Sequence, residues 1–362
     1  MPGKTARSSN LELLRILCML LIIGDHLTGQ GGIADYTTLP SSFAFCLIGC
    51  GSRIACSVFI LIGGGVLCEQ PYRARRPLSL WLLLWLYTVP VTLLCRLGGL
   101  DVSLGALRWA LFPASTRQLW FISDYLLLLL CVPLLNRLLH GLPRAAHRGV
   151  LAVLAVPLLV YPTLFAENGL TGDTAWMFLY EYLLIAYLRR YPDNRLTRLL
   201  QRRCAALLLG LGLPLVNTAV RAVLEMRGLT DGKAFQYIAY YRTALGALPN
   251  LLAALALFYL FEGLSLGSVR WINTLSGTTL GVYILHQIPA FRGFLWNGIL
   301  QAQAHHGSVG YTLFAVAAVF LGCAAVDAAR TALVTRPLEK TKLFRTLCEK
   351  GDALAAKITA DD

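Results

Sequence analysis

Two ionisable side chains in the first apolar segment, Arg15 and His26, are of types that could do chemistry together. They are eleven residues apart, which at 100° per residue is ~1,100°, or about 20° past three full turns. A helix would therefore project both from one face, with an axial separation of roughly 16 Å. A neutral imidazole can accept the proton of an attacking hydroxyl, and a guanidinium can hold a phosphate or a carbonyl oxygen. The pair favours a long ligand lying along this face.

Two acidic residues, Glu12 and Asp25, lie close to Arg15 and His26 in the sequence. Glu12 lies one helical turn before Arg15, where the two can form an ion pair. Asp25 is adjacent to His26 but ~100° round the helix, so we expect a residue of another helix to orient the imidazole. The alternative is structural: Arg15 extends to the lipid headgroups, and His26 only bonds to a neighbouring helix.

Other polar residues within apolar segments are costly in a bilayer and form a second group of candidates. They could line a shared cavity, or they could form ion pairs between helices instead. Trp120 and Asp124 are four residues apart, so they share a face that could stack on a sugar and hydrogen-bond to it. His305 and His306 fall in a predicted outer loop and are assigned no role. The second group consists of Arg53, Asp124, Glu181, Asn217, Arg221 and His286.

The composition requires a bilayer around these helices. Hydrophobic residues make up 57% of the 362 residues and charged residues 14%, and the mean hydropathy is +0.62. A water-soluble globule of this composition would expose large apolar surfaces. Runs of ~20 apolar residues predict an all-α fold, a polytopic transmembrane helix bundle of about ten spans. The candidate spans are 11–29, 43–68, 78–99, 118–139, 149–166, 174–189, 204–224, 243–262, 273–297 and 309–332.

The net charge of +13 reports topology rather than a nucleic-acid partner. With the N-terminus inside, most Lys and Arg fall in the inner segments 71–77, 137–148 and 189–203 and in the C-terminal tail. This predicts cytoplasmic residues 1–10, a ten-helix domain at 11–335 and a cytoplasmic tail at 336–362. The first segment lacks a cleavage site and is expected to be a retained helix. A multi-pass protein of the cytoplasmic membrane in contact with its lipids is predicted, with its oligomeric state open.

The ten cysteines are scattered singly, mostly within the candidate spans. No Cys pair and no Cys/His cluster has the spacing of metal ligands, and a helix-buried Cys behaves as a small hydrophobic residue. The sequence therefore predicts no disulfide framework, no metal site and no bound cofactor.

Five short segments between residues 10 and 340 form an ordered set. The first is Asn10-Leu11-Glu12-Leu13-Leu14-Arg15 with the apolar run to Gly24-Asp25-His26. The others are 57–64, 119–122, 275–286, which contains Tyr283, and 336–340. Together they resemble the membrane acyltransferase-3 family, whose first helix carries acidic-x-x-Arg and Arg-x10-His. Arg73 and Arg76 are similar to the family's Arg-x-x-Arg at the third span, while the place of a frequent second His holds Leu27.

The resemblance implies a multi-pass O-acyltransferase. Family members move acyl groups, commonly acetyl from acetyl-CoA, onto carbohydrate hydroxyls of the cell envelope. On this basis His26 is expected to be the general base, and Arg15, with Arg73 and Arg76, to hold the acyl-CoA co-substrate. The expected partners are a carbohydrate or cell-wall glycan acceptor and, where the acceptor does not reach the site, a separate extracytoplasmic transferase. The supporting or acceptor-binding residues are Glu12, Asp25, Arg53, Trp120, Asp124, Glu181, Tyr283 and His286.

Two other classes of function remain open at this point. A transporter or exporter of a glycan or a small polar metabolite would use the same polar-lined bundle, and discontinuous helices would favour it. Pro133, Pro214, Pro249 and Pro289 interrupt candidate spans, but no paired half-repeat is seen. A sensor or scaffold would leave the buried charges unexplained. The acceptor, the acyl chain (acetyl, succinyl or longer) and the choice between direct transfer and an acyl-enzyme also stay open.

Overall fold

The computed structural model describes residues 9–168 and 174–360, and every regular element in these residues is helical. This confirms the predicted all-α class. Residues 1–8 of the predicted N-terminal segment lie outside the described residues. The helices are α1 (Ser9–Gln30), α2 (Leu39–Leu67), α3 (Arg75–Leu97), α4 (Leu104–Leu111), α5 (Trp120–Gly141), α6 (Arg144–Ala155), α7 (Tyr161–Phe165), α8 (Thr174–Arg190), α9 (Arg195–Leu200), α10 (Arg203–Leu207), α11 (Leu213–Met226), α12 (Lys233–Thr243), α13 (Leu248–Glu262), α14 (Arg270–Ser276), α15 (Thr279–Gln287), α16 (Pro289–Gly293), α17 (Val309–Arg330), α18 (Arg336–Glu339) and α19 (Lys342–Thr359).

Short π-helical segments join several of these helices into longer rods. Val156–Val160 connects α6 to α7, Leu208–Gly212 connects α10 to α11, and Thr331–Thr335 connects α17 to α18. After α16 the chain continues through the π-helical Phe294–Ile299 and the 3₁₀ turn Ala302–His305.

Six helical rods in the described part are long and apolar enough to cross a membrane. They support a polytopic membrane bundle. The other predicted spans fall on α1, α8, α13 and the segment from α14 to α16, which do not meet the same criteria. The ten crossings and the cytoplasmic location of the termini therefore stay predictions. The six rods are Leu39–Leu67, Arg75–Leu97, Trp120–Gly141, Arg144–Phe165, Arg203–Met226 and Val309–Glu339.

The first two helices form an antiparallel pair that defines the two ends of the bundle. Gly24 of α1 faces Ile48 of α2, and Leu21 faces Gly51, so the residue numbers run in opposite directions. We call the end at which α1 begins the proximal end. The segment between α2 and α3 lies there, and the segment between α1 and α2 lies at the distal end.

The last long helix, α17, runs from the distal to the proximal end. The backbone N–H of Gly307, just before it, donates to the carbonyl of Ile33 at 2.8 Å. Beyond it, Glu339 forms an ion pair with Arg75 at 2.5 Å. The C-terminal segment therefore returns to residues 73–76, the end of the loop and the first residues of α3, which carry the predicted donor-binding arginines and are called the arginine-bearing loop below.

The predicted span 273–297 is not one helix. It is divided into α14, α15 and α16, with breaks at Gly277 and Thr278 and again at Ile288. Pro289 has no backbone N–H, and the residue before a proline is pushed towards extended backbone, which Ile288 adopts with ψ 121°. The breaks place the ends of short helices inside the bundle.

Glycines of α2 let two other helices approach closely. A Cβ at Gly63 would lie 2.7 Å from the hydroxyl oxygen of Tyr125 on α5, and a Cβ at Gly64 would lie 2.9 Å from Ile185 on α8. Small residues at membrane helix interfaces permit such close packing. This contact brings α5 and α8 against the centre of the bundle, next to α1.

Candidate active site

The two histidines of α1 and α15 meet in the bundle. Nδ1 of His26 lies 2.9 Å from Nε2 of His286, and Nδ1 of His286 lies 2.6 Å from the backbone carbonyl oxygen of Val282. The Tyr283 ring lies 6.1 Å from the His26 ring and 6.0 Å from the His286 ring. Helix α15 thus supplies an aromatic and a hydrogen-bonding partner to the imidazole of α1.

These contacts determine which nitrogen of each ring carries the proton. A carbonyl oxygen only accepts, so Nδ1 of His286 is the protonated nitrogen. His286 is 0% exposed, which disfavours a charged ring, and Nε2 of the neutral ring is then an acceptor. Nδ1–H of His26 donates to it, which leaves a lone pair on Nε2 of His26. In this tautomer His26 can accept a proton from a substrate.

A cavity of about 310 Å³ opens beside Arg15. The Arg15 guanidinium forms an ion pair with Glu12 at 3.4 Å, and the Ser276 hydroxyl donates to the same carboxylate. Glu12 thereby connects α1 to α14 and holds the guanidinium at the cavity wall. The cavity is lined by Arg15, Phe59, Phe121, Tyr125, Ser276, Gly277, Thr279 and Leu280.

Aromatic side chains connect this cavity to the histidine pair. Phe121, which lines the cavity, has its ring centre 5.7 Å from that of Tyr283. Tyr283 in turn contacts His26. Arg15 and His26 therefore face one continuous aromatic region built by α5 and α15.

Arg73 and Arg76 lie in different surroundings at the proximal end. Arg73 is exposed, whereas Arg76 is half-buried and donates to the Gln70 side chain at 2.5 Å. The charges of Arg76 and Arg15 both act on Tyr125. The Tyr125 side chain therefore lies near both the cavity and the arginine-bearing loop.

A buried polar cluster holds α15 against its neighbours. The Tyr87 hydroxyl donates to the Asp327 carboxylate at 2.7 Å, and Arg330 pairs with the same carboxylate at 2.9 Å. Asp327 lies directly against Gly281 of α15, where a Cβ would overlap its carboxylate. Glycine at 281 is thus required for the close approach of α17 to the helix that carries His286.

The predicted sugar-binding residues Trp120 and Asp124 both have partners within the protein. Asp124 is buried and forms an ion pair with Arg117 at 2.9 Å, and the Trp120 ring packs 6.2 Å from that of Phe178. Arg117 has a φ of 49°, a left-handed conformation that is uncommon for a residue with a side chain. The side chains of Trp120 and Asp124 are therefore both already engaged within the protein.

Glu181 on α8 is a buried acidic residue. It is 1% exposed, and in the described part of the chain neither carboxylate oxygen has a hydrogen-bond partner. Ser57 of α2 lies beside it. A buried polar group without a partner costs about 1–3 kcal/mol, so such a group calls for a functional explanation.

Arg53 and Asp25 occupy the α1–α2 side of the histidine pair. Arg53 is half-buried, and its charge acts on His26, Cys56 and Tyr283. The Asp25 carboxylate acts on Cys56 of α2. The ring of His26 itself contacts His286 and Tyr283, both of α15.

Sequence reasoning assigned no role to several residues that build this site: Arg117, Phe121, Tyr125, Ser276 and Asp327. Ser276 lies within the 275–286 segment, and Tyr125 directly follows Asp124, so both were close to a recognised pattern. Asp327 was visible as an ionisable residue within a candidate span. Within the described residues, no group of His, Cys, Asp and Glu could hold a metal ion, and all ten cysteines are free thiols.

Comparison with known proteins gives one informative result. The family model of acyltransferase-3, described as an acyltransferase domain, matches residues 8–328. The match confirms the family that the sequence segments resemble. A search of curated proteins gives no match, and a search of solved structures gives none either.

Proposed function

Because the chain belongs to the acyltransferase-3 family, we propose that it is a membrane O-acyltransferase using an acyl-CoA, with acetyl as the expected acyl group. The acceptor is a hydroxyl of a cell-envelope or exported carbohydrate. The observation that carries the proposal is the pairing of His26 with His286 beside the Arg15 cavity. It provides a neutral base and a cationic binding group on one continuous aromatic surface.

His26 acts as the general base in this proposal. Its Nε2 accepts the acceptor's hydroxyl proton while the oxygen attacks the thioester carbonyl carbon. The new carbon–oxygen bond forms as the carbon–sulfur bond breaks, and the leaving thiolate takes the proton back from His26. His286 stabilises the transient imidazolium because its Nε2 accepts the Nδ1–H of His26. General-base assistance of this kind contributes about 10²- to 10⁴-fold in rate.

Arg15 binds the donor. Its guanidinium lines the cavity and can donate to the thioester carbonyl or to a phosphate of the donor. Arg76 and the exposed Arg73 lie at the proximal end of the same path, where the charged nucleotide would remain in water. The pantetheine arm would then follow the aromatic wall of Phe121 and Tyr283 towards His26, and the acyl group would cross while the nucleotide stays behind.

The acceptor is proposed to bind among the buried polar groups near the histidine pair and the Arg15 cavity. Glu181 offers two carboxylate oxygens without hydrogen-bond partners in the described residues, which are suitable acceptors for sugar hydroxyls. Arg53 and the Asp124–Arg117 pair supply further polar contacts, and Trp120 an aromatic one. If the acceptor does not enter the bundle, a separate extracytoplasmic transferase would take the acyl group from this site.

A transporter is the second candidate, and one observation favours it. The segment from α14 to α16 is discontinuous, and helix breaks in membrane bundles often form substrate sites. The histidine pair lies next to these breaks. The acyltransferase remains the better explanation because a transporter that only binds its substrate does not need His26 to be held as a neutral base in one tautomer.

Acyl transfer and transport can be separated in one preparation. Membranes containing the protein are given labelled acetyl-CoA and envelope carbohydrate, and both product formation and carbohydrate movement are measured. We expect transfer that is lost in His26→Ala and kept in His305→Ala, an exposed histidine at the distal end. Carbohydrate movement without transfer, or full transfer by His26→Ala, would reject the proposed enzyme.

A further inference from the structure

The C-terminal helix α19 has an exposed apolar stripe. Leu343, Leu347, Leu354 and Ile358 fall within ~60° of one another on a helical projection. They are exposed by 71%, 46%, 59% and 48%, respectively. A surface helix normally buries such a stripe against the core, and one that leaves it open needs an apolar environment from elsewhere.

The stripe continues into the surface that the bundle presents to lipid. An apolar groove of about 370 Å³ at the proximal end is shared by α19 with α3 and α5. Its α3 and α5 walls include Trp81, Leu130 and Leu134, exposed residues of two rods that can span a membrane. The apolar surface is therefore uninterrupted from these rods to the stripe on α19.

The opposite face of α19 is attached to the loop between α2 and α3. The Asp352 carboxylate accepts the backbone N–H of Ala74 at 2.6 Å, and Arg137 of α5 donates to the carbonyl of Ile358 at 3.0 Å. Ala74 follows Arg73 at the end of this loop, and Arg76 lies in the first turn of α3. The hydrogen bond from Ala74 to Asp352 thus couples the position of α19 to the backbone of the segment that contains Arg73 and Arg76.

The charged residues of α19 indicate which surface would contact the apolar stripe. Helix α19 contains Lys342, Arg345, Lys350 and Lys357 against Glu349 and Asp352, a net +2. Lys350 and Lys357 both lie next to one edge of the apolar stripe on the helical projection. An amphipathic helix with basic residues beside its apolar face lies in the headgroup region of anionic membranes.

We propose that α19 lies in the anionic lipid interface at the proximal end of the bundle and holds the arginine-bearing loop through Asp352. The occupant of the apolar stripe is the acyl boundary of the bilayer, and the basic residues contact the phosphate headgroups. The inference concerns a membrane surface and does not depend on the proposed reaction.

Hydrogen–deuterium exchange on the full chain in nanodiscs tests this directly. Nanodiscs of phosphatidylcholine alone are compared with nanodiscs that also contain phosphatidylglycerol. We expect amides of 342–359 to exchange on the order of tenfold more slowly with the anionic lipid, and about 1 M salt to remove the difference. Equal exchange of 342–359 in both lipids would overturn the proposal. If these amides exchange slowly in both lipids, a second copy or a protein partner covers the stripe instead of the anionic lipid.

Two matched variants identify the surface responsible. Leu347→Asp places a charge on the stripe, whereas Ala353→Asp places the same charge on an exposed position roughly 120° away. The first should lose the lipid-dependent slowing, and the second should keep it; the same loss in both would contradict a role for the stripe.

Asp352→Ala should speed exchange in 69–77 while α19 itself still responds to lipid charge, and an unchanged loop would refute the attachment.

Discussion

His26 and His286 are 260 positions apart in the chain, yet their imidazoles lie within hydrogen-bonding distance, 2.9 Å between Nδ1 and Nε2. The Val282 carbonyl directs the proton of His286, and His286 in turn directs that of His26. In the proposed mechanism the base is therefore oriented before any substrate binds. Substitutions at four positions test the proposed site and its packing.

Replacing His286 should reduce turnover more than donor binding. His286→Ala removes the acceptor for Nδ1–H of His26, and we expect kcat to fall about 100-fold with KM for the acyl-CoA unchanged. His286→Gln should retain more activity because its amide oxygen can accept the same hydrogen bond. Steady-state kinetics on variants with matched thermal unfolding check this. Equal activity in the alanine and glutamine variants would contradict the tautomer argument.

Arg15 should affect donor binding. Arg15→Lys keeps the charge but loses the planar fork, so KM for the acyl-CoA should rise about tenfold, and Arg15→Ala should raise it further. Leu17→Ala, an exposed position two residues on, is the control and should leave KM unchanged. An unchanged KM in Arg15→Ala would place the donor elsewhere.

Gly281 should tolerate no side chain. Gly281→Ala forces a Cβ into the Asp327 carboxylate, and overpacking of this kind costs about 1–3 kcal/mol of stability. Gly322→Ala of α17 has no heavy atom within 4 Å of the new Cβ and should be neutral or stabilising by up to ~1 kcal/mol. Thermal unfolding in detergent compares the two, and a neutral Gly281→Ala would mean that α15 and α17 separate easily.

Glu181 offers a test of the acceptor side. Glu181→Gln replaces a buried carboxyl by an amide of the same shape that cannot ionise, so stability should not fall. If the carboxylate binds a sugar hydroxyl, KM for the carbohydrate should increase about tenfold while KM for the acyl-CoA does not change. Glu349→Gln, an exposed position on α19, serves as the control. An unaffected carbohydrate KM would remove Glu181 from the proposed acceptor site.

Local sequence properties were enough for the class of the protein and for part of the site. Hydropathy over ~20 residues indicates membrane helices because the bilayer is a uniform apolar solvent, and six rods meet that condition in the described residues. The helical period places Arg15 and His26 on one face, and the structure directs both towards α5 and α15. The ion pair of Glu12 with Arg15 also follows from spacing along one helix.

Hydropathy alone does not show where a helix is interrupted. The segment 273–297 is apolar throughout, so hydropathy cannot distinguish one helix from the separate α14, α15 and α16. Pro289 was noticed as an interruption, but the break at Gly277 and Thr278 depends on how this segment packs against α1. The Glu12 carboxylate that binds Ser276 contributes to that packing.

Hydropathy read along the chain thus indicated a membrane bundle, five short segments indicated the family, and the helical period indicated the face of α1 that carries Arg15 and His26. Tertiary packing alone decided that His286 is the partner of His26, that Glu12 joins Ser276, and that Asp327 lies against Gly281. The physical reason is that periodicity acts over a few residues of one helix. Contacts between helices depend instead on volumes and hydrogen bonds distributed over the whole bundle, and residues 260 positions apart share no local signal.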